Sequence, residues 1–227
     1  MFHKREFKIA LKVSIPVMMG YTVLGFAFGL LMSSSGQPWW IAVLMSVVIY
    51  AGALQFLAVG FFSAKIGYFD IFVASIMVNI RQSFYGLSLL KKFKKIKFKP
   101  YLIFAITDET YALLTTIKED ENIKKKWYYF YLCSLNQSYW IIGTTLGVLF
   151  GKFIHFNTKG LDFSLTALFV VLAIEQYKKD KNLTPFFIGT FASIFAFLSV
   201  SKENMLLSAI AVSIVLMFLF KKRFNNG

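Results

Sequence analysis

The sequence predicts an all-α fold, a polytopic membrane helix bundle of about seven or eight hydrophobic segments. Hydrophobic residues make up 57% of the 227 positions and charged residues only 16%, against roughly 45–50% and about 25% in soluble domains. The charge is also gathered rather than spread, lying in short connectors between long apolar runs. Several of those runs reach the roughly 17–25 residues that a spanning helix needs. A single integral-membrane domain covering 1–227 is expected.

The runs fall at 13–32, 41–62, 71–90, 101–117, 127–150, 163–177, 185–200 and 205–220. The first three and the fifth have the length of a span, and the last three are short but strongly apolar. Segment 13–32 follows a basic start, yet it exceeds the 7–15-residue core of a signal peptide and lacks a small-residue cleavage site. It reads as an uncleaved first helix. Pro16 within it is a candidate helix break or packing position.

The formal charge is +14, which in a soluble chain would point to nucleic acid. Here the positive residues sit in connectors: Lys4, Arg5, Lys8 and Lys12; "KKFKKIKFK" at 91–99; "KKK" at 124–126; "KKDK" at 178–181; "KKR" at 221–223. That is the bias of cytoplasmic loops in membrane proteins, so nucleic acid is not an expected partner. One cysteine, Cys133, excludes an internal disulfide, and His3 and His155 lack ligand companions. No cofactor and no metal are expected. No enzyme signature is present either: no G-x-S-x-G, no H-E-x-x-H and no glycine-rich phosphate loop.

Two stretches resemble each other, "YTVLGFAFG" at 21–29 and "YWIIGTTLG" at 139–147. Each places Gly four residues after Tyr and again four later, giving Gly25/Gly29 and Gly143/Gly147. Gln55 closes "VVIYAGALQ" and Gln176 closes "VVLAIEQ", again about 120 residues apart. An internal repeat of the kind transporters use and plain small-xxx-small helix packing both account for the glycines. Topology adds a second tension. If every segment spans and the N-terminus is cytoplasmic, the lysine-rich connector 91–99 falls outside, against the positive-inside rule. Broken or re-entrant segments repair this, and irregular backbone at membrane depth needs a protein-lined setting. Candidates are 41–62 with Gly52 in "AGALQ", 71–90 with "NIRQS", and 101–117 with "TDET".

Charged residues within apolar runs are rare and usually face a bundle interior or a pathway. Four occur: Arg81, Asp108, Glu109 and Glu175. Arg81 lies mid-segment, where a bidentate carboxylate is its lowest-energy partner; Asp108 or Glu109 can supply it. A structural ion pair and a clamp for a substrate carboxylate are both open. Glu175, near its segment end beside Lys178, reads as an interfacial residue or a pathway group. On a helix, Asn79, Gln82, Ser83 and Gly86 share one side and Arg81 and Tyr85 another, so segment 71–90 is expected to be central or broken. Asp108 and Glu109 differ by about 100° around a helix and serve either as proton-coupling acids or, with Thr107, as a helix start. Asn136 and Gln137 in "SLNQSYW" either bond between helices or line a polar cavity.

In this order, "SIPVMMGYTVLGFAFGLL", "YAGALQFLAVGFF", "NIRQSFYGLSL", a basic connector and "TDETYAL" at 107–113 resemble the AzlC-like (BrnF-like) large subunit of branched-chain amino acid exporters. The likeness continues through "GLDFSLTALFVVLAIEQ" at 160–176, with Thr166 where the family usually shows proline. The resemblance implies export of leucine, isoleucine, valine and often methionine, driven by the proton-motive force. It implies a multi-pass protein of a bacterial cytoplasmic (inner) membrane and a small AzlD/BrnE-like partner subunit. The family's motif positions fall on Gly52, Ala53, Gln55, Asn79, Arg81, Tyr85, Thr107, Asp108 and Glu109. Outside the resemblance, the same residues suit a non-transporting assembly or regulatory subunit with a structural Arg81–Asp108 pair, or a small-solute channel.

Overall fold

The computed structural model describes residues 3–63, 67–94, 96–116, 123–153, 170, 174, 177, 181, 183–200 and 205–219. Regular structure among them is helical throughout, without strands. The helices are α1 (Lys4–Ser34), α2 (Trp39–Val48), α3 (Gly52–Ser63), α4 (Tyr68–Leu89), α5 (Lys99–Phe104), α6 (Asp108–Thr116), α7 (Lys125–Phe153), α8 (Thr184–Ser199) and α9 (Met205–Leu219). Two compact units result: Met1–Ser63 with Val78–Thr158, and Ala64–Met77 with Lys159–Gly227.

The first unit is built on two long parallel helices. His3 stacks near Trp127 at 5.0 Å and Phe7 meets Tyr131 edge-on at 5.5 Å, Ser14 Oγ lies 3.0 Å from Tyr139 Oη, and Gly151 sits against Ser33. Both chains therefore climb together from a near end, where α1 begins, to a far end. The glycines make this approach possible. A Cβ on Gly25 would come 2.7 Å from the Trp140 carbonyl oxygen and one on Gly143 2.6 Å from that of Thr22, while Gly29 and Gly147 press on the Thr144 and Phe26 carbonyls. Small residues let helix backbones pack this closely, so the four glycines mate with each other across one seam. Pro16 lies inside α1 without ending it. Gln176 and Glu175 lie outside the described residues.

Two helical hairpins fill the flanks of this pair. The first, α2–α3, starts at the far end, where Lys152 Nζ lies 5.9 Å from the Trp39 ring. It runs against α7 until Val47, whose carbonyl accepts from Gln137 Nε2 at 3.1 Å, and turns at Tyr50. It then returns alongside α1: Tyr50 faces Tyr21 and Phe56 faces Phe28. Tyr50 makes the reversal with φ of 45°, a conformation that is uncommon for a bulky residue and marks a tight turn. The second hairpin, α5–α6, starts at the near end. Phe98 packs on Trp127 and Tyr101 on Phe130, Phe104 reaches Tyr50 at 6.3 Å, and α6 then descends until the Leu114 carbonyl meets Lys92 Nζ at 2.6 Å. The two turns, 49–51 and 105–107, meet half-way along α1 and α7. Tyr50, Ala51, Ala105, Ile106 and Thr107 are all buried, which is what irregular backbone away from water requires.

At about 1.5 Å per residue, α2, α3, α5 and α6 are each far too short for a bilayer core of about 30 Å. Among the described residues, α1 is both long and apolar enough to cross a membrane. The runs 41–62 and 101–117 thus fold as paired half-length helices, and α4 and α7 have the length of a span but carry polar side chains at their middle. The expectation that 71–90 is central or broken is corrected. α4 is continuous, and Arg81 and Ser83 are exposed while Asn79 and Gln82 are half-buried. Arg81, Tyr85 and Ser88 meet Asp108 and Tyr111 of α6. In the second unit α8 and α9 pack on each other through a thin row that includes Ile188, Ala192 and Ala196, with Phe187, Phe191 and Leu198 exposed.

Candidate functional site

The level at which the two hairpins turn is also where the polar side chains of the first unit converge. Its floor is the start of α6. Thr107 caps that helix, accepting from the Thr110 N–H at 3.2 Å, so the acids of "TDET" fill the first turn, where the helix dipole favours them. Because α6 is regular from Asp108 onward, the two acids point apart. Asp108 Oδ2 takes Arg81 Nη1 at 2.8 Å, with 43% of the Arg81 and 35% of the Asp108 side chain exposed. One turn further along each helix, Tyr85 and Tyr111 stack at 4.4 Å with 18° between their rings. Asp108 Oδ1 is buried and has no hydrogen-bond partner.

Glu109 turns the other way, toward α1. Tyr21 Oη donates to Glu109 Oε2 at 2.5 Å and also lies 2.6 Å from Thr107 Oγ1. The chain of contacts continues inward: Thr107 Oγ1 is 3.0 Å from Thr110 Oγ1, which accepts from Asn136 Nδ2 at 2.9 Å. Tyr21, Thr107, Thr110 and Asn136 are all buried, and Asn136 Oδ1 and Tyr50 Oη have no partner.

The remaining polar residues tie the hairpins to α7. Gln137 accepts from the Tyr101 hydroxyl of α5 at 2.9 Å and donates to the Val47 carbonyl of α2, gripping both hairpins from one side chain. Gln55 accepts from Trp140 Nε1 at 2.9 Å and donates to Ser46 Oγ at 3.0 Å, which in turn lies 2.9 Å from Thr144 Oγ1. Gly52 sits under the same indole; a Cβ there would come 2.9 Å from Trp140 Cη2. The structure thus brings Arg81, Tyr85 and Asp108 into one group and Thr107, Glu109 and Asn136 into a second, while Gln55 and Gln137 brace the hairpins. Asn79 joins neither group, and Glu175 is outside the described residues. Tyr21, Tyr50 and Trp140 were not legible as site residues. Their one signal is that a polar-tipped aromatic in an apolar run usually finds a partner, which does not say which one. Among the described residues no group of metal-ligating side chains occurs.

The chain matches the family model described as AzlC protein over residues 16–154. It is 37% identical over 220 residues to an uncharacterized membrane protein of Helicobacter pylori, covering 96% of each chain. It is 38% identical over 177 residues to the branched-chain amino acid transport protein AzlC of Bacillus subtilis, covering 78% of this chain and 70% of that one. To the inner membrane protein YgaZ of Escherichia coli it is 26% identical over 198 residues, covering 82% and 80%. No solved structure matches.

Proposed function

The chain belongs to the AzlC family of membrane proteins linked to branched-chain amino acid transport, and from that premise we propose that it is the large subunit of a secondary exporter. Its substrates are leucine, isoleucine and valine, with methionine as a further one, and the proton-motive force drives it. It works in a bacterial cytoplasmic membrane with a small AzlD/BrnE-like partner subunit.

The observation that carries this reading is the Arg81–Asp108 pair. A guanidinium at the level of both hairpin turns is held by one carboxylate at 2.8 Å, yet 43% of the side chain stays open. Its fork has donors left for a second, incoming carboxylate. Asp108, once released, suits the substrate ammonium, and Glu109 suits the coupling proton.

The fold also supports a membrane arrangement. Reading each hairpin as re-entrant, α1, α4 and α7 cross, while α2–α3 and α5–α6 enter from opposite faces and turn at mid-depth. Lys4, Arg5 and Lys8, the connector after α4 and Lys124–Lys126 then share the near end, which the positive-inside rule assigns to the cytoplasm. The conflict over 91–99 disappears.

The test is efflux from cells deleted for their own exporters and loaded with Leu- or Met-containing dipeptides. Faster efflux with this chain plus its small subunit, abolished by an uncoupler, is expected. Arg81→Ala should cut that efflux at least about tenfold, the loss of more than 1.4 kcal/mol of selective interaction, with the protein still folded in the membrane. Normal export by a folded Arg81→Ala protein would remove the substrate-clamp role.

A further inference from the structure

Glu109 is exposed, and from it a row of hydrogen bonds runs inward to the buried Asn136. Three hydroxyls, those of Tyr21, Thr107 and Thr110, stand between the carboxylate and the amide. Each has one hydrogen to give. Three links are available for them: Tyr21 to Glu109, Tyr21 to Thr107, and Thr107 to Thr110. With Glu109 ionised, all three hydrogens must point toward it, because the carboxylate only accepts. Tyr21 then donates to Glu109, and the two contacts in which Tyr21 and Thr107 stand as donors, Tyr21 to Thr107 and Thr107 to Thr110, must turn round, Thr110 donating to Thr107 and Thr107 to Tyr21. Thr110 Oγ1 is left as an acceptor, which the Asn136 Nδ2 at 2.9 Å fills, and Asn136 Oδ1 is left over. That atom is buried and has no partner.

A proton on Glu109 reverses the row. The carboxyl donates to Tyr21, Tyr21 to Thr107 and Thr107 to Thr110, whose own hydrogen now needs an acceptor. The hydrogen-bond neighbours of Thr110 Oγ1 are Thr107 Oγ1 and the Asn136 amide, so the acceptor is the Asn136 carbonyl, brought round by a turn of the amide. One proton enters at Glu109 from water; every hydroxyl keeps its own hydrogen and only rotates. No bond is made or broken along the row.

We propose that Asn136 is a positioning residue that reads the protonation state of Glu109 through this reversible row. Its free end offers an acceptor when Glu109 is charged and a donor when Glu109 is neutral. The reversal falls next to Gln137, the side chain that grips both hairpins, so the proton's arrival is delivered where the two turns are held. The proposal rests on the proton-coupled reading above. The titratable and charged groups around Glu109 are Tyr21 from α1, Tyr50 from the first turn, and Asp108 with its partners Arg81 and Tyr85 from α4. Tyr101 of α5 and Cys133 of α7 lie on the Tyr50 side, and α7 also presents the uncharged Trp140 and Asn136.

The experiment is an infrared difference titration of the full chain in lipid, with asparagine isotopically labelled. A carboxylic-acid band absent from Glu109→Gln and an amide band absent from Asn136→Leu should rise and shift together with pH. Thr110→Val should keep the acid band and lose the linked amide shift, and Thr110→Ser should restore it. An amide band that ignores the acid band, or still follows it in Thr110→Val, overturns the proposal, as does a Glu109 that never takes up a proton. The readout needs no substrate. A chain that exports no amino acid yet shows the linked shift would sink the transport reading and leave the row standing.

Discussion

At the residue scale, the polar side chains buried in this bundle divide by how fully their bonding capacity is used. Gln55 is fully buried, with its carbonyl taken by Trp140 and its amide by Ser46. Both of its polar atoms are partnered, and its removal leaves the Trp140 indole N–H without an acceptor in an interior where that costs about 1–3 kcal/mol, while Ser46 keeps Thr144 and the Ala42 carbonyl. Gln55→Leu is therefore expected to destabilise the protein by about that much, seen as a lowered unfolding temperature in detergent. A variant as stable as the parent would show that Trp140 finds another partner. Asn136 and Asp108 are different, each keeping one buried oxygen unpartnered. Gln55, Asn136 and Asp108 all stood out in the sequence, since each is a polar residue in an apolar run. Which of them is fully partnered was not legible, because for Gln55 this depends on Trp140 and Ser46, residues that raise no signal of their own.

At the element scale, the decisive feature is the parallel seam between α1 and α7. Gly147 faces the Phe26 carbonyl and Gly29 that of Thr144 at distances no Cβ tolerates, whereas Gly20, on the same helix, has nothing within 4 Å of where its Cβ would stand. The two sites should thus respond with opposite sign. Gly147→Ala pushes the helices apart and is expected to cost about 1–3 kcal/mol, as overpacking does. Gly20→Ala gains up to about 1 kcal/mol from helix propensity. Paired thermal-unfolding measurements decide it; equal effects at both positions would mean the seam is not tightly packed. The matching spacing of Gly25/Gly29 and Gly143/Gly147 was visible in the sequence, but not that the two pairs meet. The breaks at 49–51 and 105–107 were half visible. Gly52 and "TDET" marked the regions, yet the turns rest on Tyr50 in a left-handed conformation and on Thr107 as a cap, and long-range packing decides both.

At the scale of the whole molecule, the two hairpins fix which connectors share a face, and this separates the proposed arrangement from simple spanning. If 41–62 crossed the bilayer once, the chain between α4 and α5 would lie on the side opposite the N-terminus. If α2–α3 turns back at Tyr50, that connector returns to the N-terminal side, together with Lys124–Lys126. Thiol labelling distinguishes the two cases cleanly, because the native Cys133 is buried and should stay silent toward a membrane-impermeant reagent. Ser34 and Lys97 are exposed at opposite ends of the first unit. Ser34→Cys is expected to label in intact cells, and Lys97→Cys only in inverted vesicles, where the cytoplasmic face is open. Labelling of both from outside would refute the first hairpin, since one full crossing more or less moves Lys97 across the bilayer. Labelling in the reverse sense would keep the first hairpin and invert the chain, leaving the basic near end outside. The positive-inside bias makes that the costly orientation: among the described residues, the near end carries the basic clusters of α1, the α4–α5 connector and the start of α7, against Lys152 at the far end. Confirmed labelling would put the second hairpin, with Asp108 and Glu109 at its turn, on the route from the cytoplasm. That is the side from which an exporter must take its amino acid.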